Sequence, residues 1–147
     1  MPEIIGIDHI YVTVSDMKRS EKFYDAVMRV LGFRKNQFQI DGEQHIQYYN
    51  RHFGYVLRPA RSLNVHDPYA PGIHHFCLRV ESEEEVKEAA RRLKEQNIFV
   101  SGPRQYPEYA PDYFAVYFSD PDGLRLEITN YRQERRQRHD DWENIEP

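Results

Sequence analysis

Between residues 7 and 14 the chain alternates: Asp8, Ile10, Val12 and Val14 fall on one side, and Ile7, His9, Tyr11 and Thr13 on the other. A period of two predicts a half-buried strand. After Ser15 and Asp16, both good N-cap types, the apolar period lengthens. Phe23, Val27, Val30 and Leu31 recur at helical spacing and predict an amphipathic helix over about 17–31, stopped by Gly32. Strands are then predicted over 33–40 and 44–50 around Asp41-Gly42, a hairpin dipeptide, with a further short strand at Tyr55-Val56-Leu57.

The pattern then starts again. Gly6, Ile7, His9 and Val14 recur 66 positions later as Gly72, Ile73, His75 and Val80, and the same offset carries Asp16 onto Ser82 and Phe33 onto Phe99. The second copy predicts a strand over 73–80. A capping box of Ser82 and Glu85 follows, opening a helix to about Gln96 with Val86, Ala89, Ala90 and Leu93 inward. Residues 101–112, with Pro103, Pro107 and Pro111, read as a loop. Strands over Tyr113–Ser119 and Leu124–Asn130 flank the turn Asp120-Pro121-Asp122-Gly123. The expected fold is α+β, two tandem βαβββ modules at 1–58 and 72–130. A proline-rich linker spans 59–71, and a charged tail, 131–147, is a solvated helix or a frayed end with Trp142 as its anchor.

Composition narrows the function. At 147 residues the chain has the length of one ordinary domain or two small fused halves. An aromatic share of 14% beside 30% charge argues against disorder over most of it. A net charge of −4 with mixed signs provides no strongly basic footprint for nucleic acid or anionic lipid. One cysteine, Cys77, excludes an intramolecular disulfide and a cysteine-rich zinc module. No apolar run approaches the ~18 residues of a membrane span. The expectation is a soluble, cytoplasmic protein with no nucleic-acid or membrane partner.

Strand parity points to the chemistry. His75, Cys77 and Arg79 share one face of their strand; Arg125, Glu127 and Thr129 share the corresponding face of the last strand, and His9 and Tyr11 that of the first. Two imidazoles and a carboxylate on such faces make a candidate site for one divalent cation, with Fe(II), Mn, Ni, Co and Zn all compatible. The plainer alternative is a pair of satisfied strand histidines and a solvent-exposed glutamate; the duplicated histidine is what favours the metal. Tyr113 and Tyr117 lie on the same face, as hydrogen-bond donors or acid/base groups, or simply as rim hydroxyls. Gln47, Tyr49 and Arg79 are candidate substrate contacts, with Arg125 a further cation. Cys77 reads as a small space-filler, His74 as a structural neighbour, and 101–112 as a lid or a rigid connection.

The segment from Asp8 to Tyr24, followed by Leu31-Gly32-Phe33, resembles the opening of the glyoxalase/bleomycin resistance/extradiol dioxygenase group, the vicinal oxygen chelate superfamily. Tyr113 to Glu127, with its Ser119-Asp120-Pro121-Asp122-Gly123 turn, is similar to the closing signature of that group. The resemblance covers about 4–130. It implies that each module curls its sheet into half a barrel around a metal, and that His9, His75 and Glu127 are the ligands. It also implies a small-molecule substrate chelating through two adjacent oxygens, and a homodimer. The broad activity it implies is a glyoxalase-like lyase or isomerase. Fe(II) ring-cleaving dioxygenation and fosfomycin-type epoxide opening are the alternatives, and a ligand-sequestering, bleomycin-resistance-like binding protein is the alternative of another class. The group often adds a fourth ligand, a carboxylate in the last strand of module one. By the repeat, Leu57 stands there, or Arg58 with a one-residue slip, and neither binds a cation. His45, Gln47 and Glu43 are the donors on a neighbouring strand. This departure resembles the three-ligand members.

Overall fold

A computed structural model describes residues 1–146. The chain divides into two units: residues 1–67 with Asp120–Leu124, and 68–119 with 125 onward. Each holds a four-stranded mixed sheet of the same topology, and the fold is the expected α+β pair of tandem βαβββ modules.

In the first unit β1 (His9–Val14) leads into α1 (Met17–Val30), then β2 (Arg34–Ile40), β3 (Glu43–Tyr49) and β4 (Gly54–Pro59). The sheet order is β1-β4-β3-β2. β1 runs parallel to β4, and the other neighbours are antiparallel. Asp16 caps α1, its carboxylate accepting from the Arg19 amide at 3.0 Å. At the β2–β3 hairpin Asp41 and Gly42 have φ of 51° and 78°, the left-handed pair that a two-residue turn between twisted strands requires.

The core of this unit is built around phenols. Tyr24, Tyr48 and Tyr55 are buried among Val14, Val27, Met28, Ile46 and Leu57. A buried phenol needs a partner, and each has one. Tyr24 donates to Asp120 Oδ2 at 2.8 Å and its oxygen lies 3.0 Å from that of Tyr55; Tyr48 donates to Asp25 at 2.7 Å. Burial, then Asp25, raises the Tyr48 phenol above its ordinary range. Asp120 is buried, and its Oδ1 accepts from the Asp122 and Leu124 amides at 2.9 and 2.8 Å. This is the Asp-Pro-Asp-Gly turn: its first residue is the acceptor around which the turn closes. Asp122 in turn accepts from the Ser15 amide at 2.9 Å.

In the second unit β5 (His75–Val80) leads into α2 (Glu83–Glu95), β6 (Ser101–Gln105), β7 (Phe114–Ser119) and β8 (Arg125–Asn130), in the order β5-β8-β7-β6. β5 is parallel to β8. Ser82 caps α2, whose Val86, Ala89, Ala90 and Leu93 are buried, and the helix contacts all four strands.

Two expectations need correction. Residues 101–112 are not all loop, since Ser101–Gln105 form β6. The strand tolerates Pro103 because it is an edge strand, pairing with β7 alone and irregularly between Ser101 and Arg104. The tail is the expected helix, α3 (Gln133–Asp140), but Trp142 does not anchor it, being 58% exposed. Tyr131 does. The Arg79 and Arg136 guanidiniums lie 3.9 and 4.1 Å from its ring centroid, Arg136 pairs with Glu81 at 2.6 Å, and the Gln133 amide donates to Asp112 at 2.8 Å. Cationic side chains over an aromatic face hold a helix that has no apolar stripe of its own.

Two outcomes are expected. Asp120→Ala should lose about 3 kcal/mol in urea unfolding, because it strips three donors of their acceptor, whereas Asp120→Asn keeps an acceptor for the turn. Burial, its largest cause, raises the Asp120 pKa above 3.8. A raised folded-state pKa means that this group's contribution is fully present below the unfolded value and is lost as pH rises through the folded one. The stability of wild type relative to Asp120→Asn should therefore fall as pH climbs from about 4. Separately, Tyr131→Ala should expose α3 to limited proteolysis, at a cost of about 1–2 kcal/mol, while Trp142→Ala leaves the digest unchanged.

Candidate metal centre

Partners in register share a face of a sheet, so the register defines rows of side chains. In the second unit one row runs Cys77–Glu127–Tyr117 across β5, β8 and β7. Glu127 is the centre of this row and is 1% exposed. A buried carboxylate needs hydrogen-bonding or charged partners. The Tyr113 hydroxyl donates to its Oε1 through a short bond, and His75 Nε2 lies 3.2 Å from its Oε2. Tyr117 stands beside it as its register partner on β7.

The ionisable neighbours respond to this anion and to their own burial. Burial first, then the Glu127 hydrogen bond, raises the Tyr113 phenol above its ordinary range; for Tyr117 burial and then the Glu127 charge act in the same direction. Cys77 counts among the exposed residues, yet the protein around its sulfur desolvates it. Its thiol is pushed up to about 12, by burial and then by the Glu127 charge, with Arg132 acting in the opposite sense. It is a protonated thiol at neutral pH, as suits a space-filler rather than a nucleophile.

Tyr113 stands just before β7, and a closed loop sets its position. The Tyr106 amide donates to the Tyr113 carbonyl at 2.7 Å, and the Tyr113 amide to Ala110 at 3.2 Å. Tyr106 is buried, with ring centroids 5.4 Å from Tyr117 and 5.6 Å from Tyr109. Residues 106–113 are thus a packed connection.

His75 Nδ1 lies 2.7 Å from His74 Nδ1. In the first unit His9 Nδ1 lies 2.6 Å from Asp8 Oδ2. The same offset of 66 relates Asp8 to His74 and His9 to His75, so each histidine has its Nδ1 engaged by the residue before it. For His9 the Asp8 carboxylate can only accept from Nδ1–H, which leaves Nε2 its lone pair; in the His74–His75 pair either Nδ1 can be the donor. Sequence reading treated His74 as a mere neighbour and did not use Asp8; their shared repeat position was the available signal.

His9 pairs in register with Gly54, and Gly54 with Tyr49. A Cβ on Gly54 would stand 2.8 Å from Gln47 Nε2 and 3.5 Å from the His9 Cβ, so the Gln47 amide lies over the glycine beside His9. His9, Gln47 and Tyr49 therefore share one face of their sheet. The expected counterpart of Glu127 in this unit was Leu57 or Arg58. The register corrects it: Tyr11 pairs with Val56 as Cys77 pairs with Glu127, so Val56, 2% exposed, is the equivalent residue. The other donors of this face are occupied. Arg58 and Arg61 hold Glu43 at 3.0 and 2.6 Å, and Nδ1 of buried His45 lies 3.0 Å from the Glu43 carbonyl oxygen. Arg79, expected at a substrate, instead has its guanidinium over Tyr131.

The structure thus brings together Glu127, His75, Tyr113, Tyr117 and Cys77. Among the described residues no group of three His, Cys, Asp or Glu side chains is gathered in a metal-holding arrangement. The donor set nevertheless fits a cation. Two donors 3.2 Å apart have about the spacing of adjacent ligands that each stand roughly 2.1 Å from one small ion. Among the described residues no helix is long and apolar enough to cross a membrane.

Known proteins share this architecture. The chain is 25% identical over 124 residues to the uncharacterized protein YqjT of Bacillus subtilis, covering 82% of this chain and 94% of that one. The glyoxalase/bleomycin resistance protein/dioxygenase domain of Frankia sp. EAN1pec superposes with a TM-score of 0.72 at 20% identity, covering 88% of this chain and 100% of that one. A mutant of the fosfomycin resistance protein FosX of Listeria monocytogenes, complexed with Mn(II) and 1S,2S-dihydroxypropylphosphonic acid, superposes with a TM-score of 0.63 at 19% identity, covering 93% and 98%. The family model for the Glyoxalase/Bleomycin resistance protein/Dioxygenase superfamily matches residues 6–128, and the chain belongs to that superfamily.

Proposed function

We propose that this chain is a divalent-metal enzyme acting on a small substrate through two adjacent oxygens, as a glyoxalase-like lyase or isomerase. The observation that carries the reading is the buried Glu127 carboxylate facing His75 Nε2 at 3.2 Å. His75 and Glu127 are the proposed ligands of the second module and His9 that of the first. The bond from His9 Nδ1 to the Asp8 carboxylate supports this assignment, as does the Mn(II) in the FosX complex. The metal, of the set Fe, Mn, Ni, Co or Zn, would supply Lewis acidity to the chelating oxygens.

The protein's own groups do the rest. Tyr113, whose one hydroxyl proton is donated to Glu127, offers its oxygen as acceptor to a substrate hydroxyl and serves as the acid/base group when that bond opens. Tyr117, one residue pair away on the same row, orients the same carboxylate. Gln47 and Tyr49 contact the substrate from the face that bears His9. Val56 at the place of a fourth carboxylate favours three protein ligands, an observation that keeps an Fe(II) dioxygenase as the second reading. The reading includes a homodimer in the cytoplasm; the exposed Ile4, Ile5, Ile7 and Val65 support self-association.

Metal content decides the assignment. Tag-free protein should bind about one equivalent of Mn(II) or Fe(II) by elemental analysis and calorimetry. His75→Ala and Glu127→Ala should each lose at least a hundredfold in affinity, and Cys77→Ala should bind as wild type does. Equal metal in all four proteins would overturn the ligand set. Tyr113→Phe should keep its metal within about tenfold, the usual scale for groups that support a ligand.

A further inference from the structure

Among the described residues, Arg132 is the one buried charged side chain of the second unit with no ion-pair or side-chain hydrogen-bond partner. It is 8% exposed. Arginine is almost never buried so deeply unless paired. Yet among the described residues no side chain or backbone group accepts from its guanidinium, and its Nε is a buried donor without a partner. The guanidinium packs on a ring: Cζ lies 4.4 Å from the Tyr113 centroid. That stacking uses the face of the guanidinium and leaves its N–H groups, which radiate in the plane, free. Nε is the only guanidinium nitrogen of Arg132 that is both buried and unpartnered, so the two terminal nitrogens retain access to solvent. A fork of donors, fixed in orientation by a ring, therefore opens outward from a desolvated seat.

The place of this fork is informative. The ring beneath it belongs to Tyr113, whose hydroxyl bonds to Glu127. We propose that Arg132 is the anion subsite of the centre: the substrate carries a carboxylate, phosphonate or phosphate group that docks on the Arg132 fork while its adjacent oxygens reach the Glu127–His75 pair. The word substrate here rests on the metal-enzyme reading; the anion site itself does not. An oxyanion of this kind offers two acceptor oxygens at the spacing of the fork and supplies the charge that the buried cation lacks.

The test uses acetate and methylphosphonate as probes on the metal-free full-length protein at low ionic strength. Calorimetry measures affinity, and the 15N–1H resonance of the Arg132 Nε–H group reports the place of binding. One anion per chain should bind with a shift of that resonance, at least tenfold more weakly in Arg132→Gln and unchanged in Arg138→Gln, whose position is exposed on α3. A preference for methylphosphonate assigns a tetrahedral anion, and a preference for acetate a carboxylate. If Arg132→Gln does not fold, Arg132→Lys, which keeps the charge and loses the fork, should still weaken binding severalfold. No binding by wild type, binding that leaves the Nε–H resonance in place, or equal affinity in the variants overturns the subsite. Mn(II) titration of the same samples separates the two readings. Anion binding without metal uptake leaves the subsite standing and removes the metal, whereas metal uptake without anion binding on Arg132 does the reverse.

Discussion

The carboxylate of Glu127 is the constraint on which the second module is organised. A carboxyl group at 1% exposure is costly in an apolar interior unless other groups replace its hydration. Here its partners are His75 on β5 and Tyr113 on the connection before β7, with Tyr117 beside it in register on β7. Each of these has to be held in turn. Tyr113 is held because residues 106–113 close on themselves through backbone bonds and a buried Tyr106. Asn130 clamps the same stretch from β8, donating to the Asp112 carbonyl and accepting from the Phe114 amide. A loop rich in tyrosine and proline is packed here, and one of its hydroxyls reaches the Glu127 carboxylate.

The parallel pairing of first and last strands puts that anion where it is. In each module the strand that opens the unit runs beside the strand that ends it. The residue two beyond the duplicated histidine therefore neighbours an interior position of the last strand. In one module that position is Glu127 and in the other Val56. The backbone frame is the same and the chemistry is opposite. Valine needs no partners, so the first module carries its charges elsewhere, in the cluster of Glu43 with Arg58 and Arg61.

Both modules were legible in the sequence because their signals are local. Period-two strands, a capping box, Asp41-Gly42 and the Asp-Pro-Asp-Gly turn act over a few residues, and the 66-residue repeat then supplied the topology. Parity alone placed His75, Glu127, Tyr113 and Tyr117 on one face. What stayed hidden depends on register and on distant partners. Pro103 argued for a loop, yet it lies on a strand whose edge tolerates it. Counting along the repeat put Leu57 opposite Glu127, where one residue of slip separates it from Val56. Trp142 looked like the tail's anchor by its size, but cations packed on Tyr131 hold the helix instead. Arg132 was one of several arginines in a charged tail; only folding sets it apart by burying it without a counter-charge.

The two histidines show how a repeat can conserve geometry while changing chemistry. Each engages its Nδ1 with the side chain just before it, but the partner is a carboxylate, Asp8, in one case and a second imidazole, His74, in the other. A carboxylate can only accept from Nδ1, which fixes the Nε2 lone pair of His9, whereas two imidazoles can share their bond in either direction. In the second module the direction follows from Nε2, which lies 3.2 Å from Glu127: as a donor to that carboxylate it leaves Nδ1 to accept from His74, and a cation held between Nε2 and Glu127 would reverse the pair. The repeat thus places a fixed tautomer in one unit and a reversible one in the other.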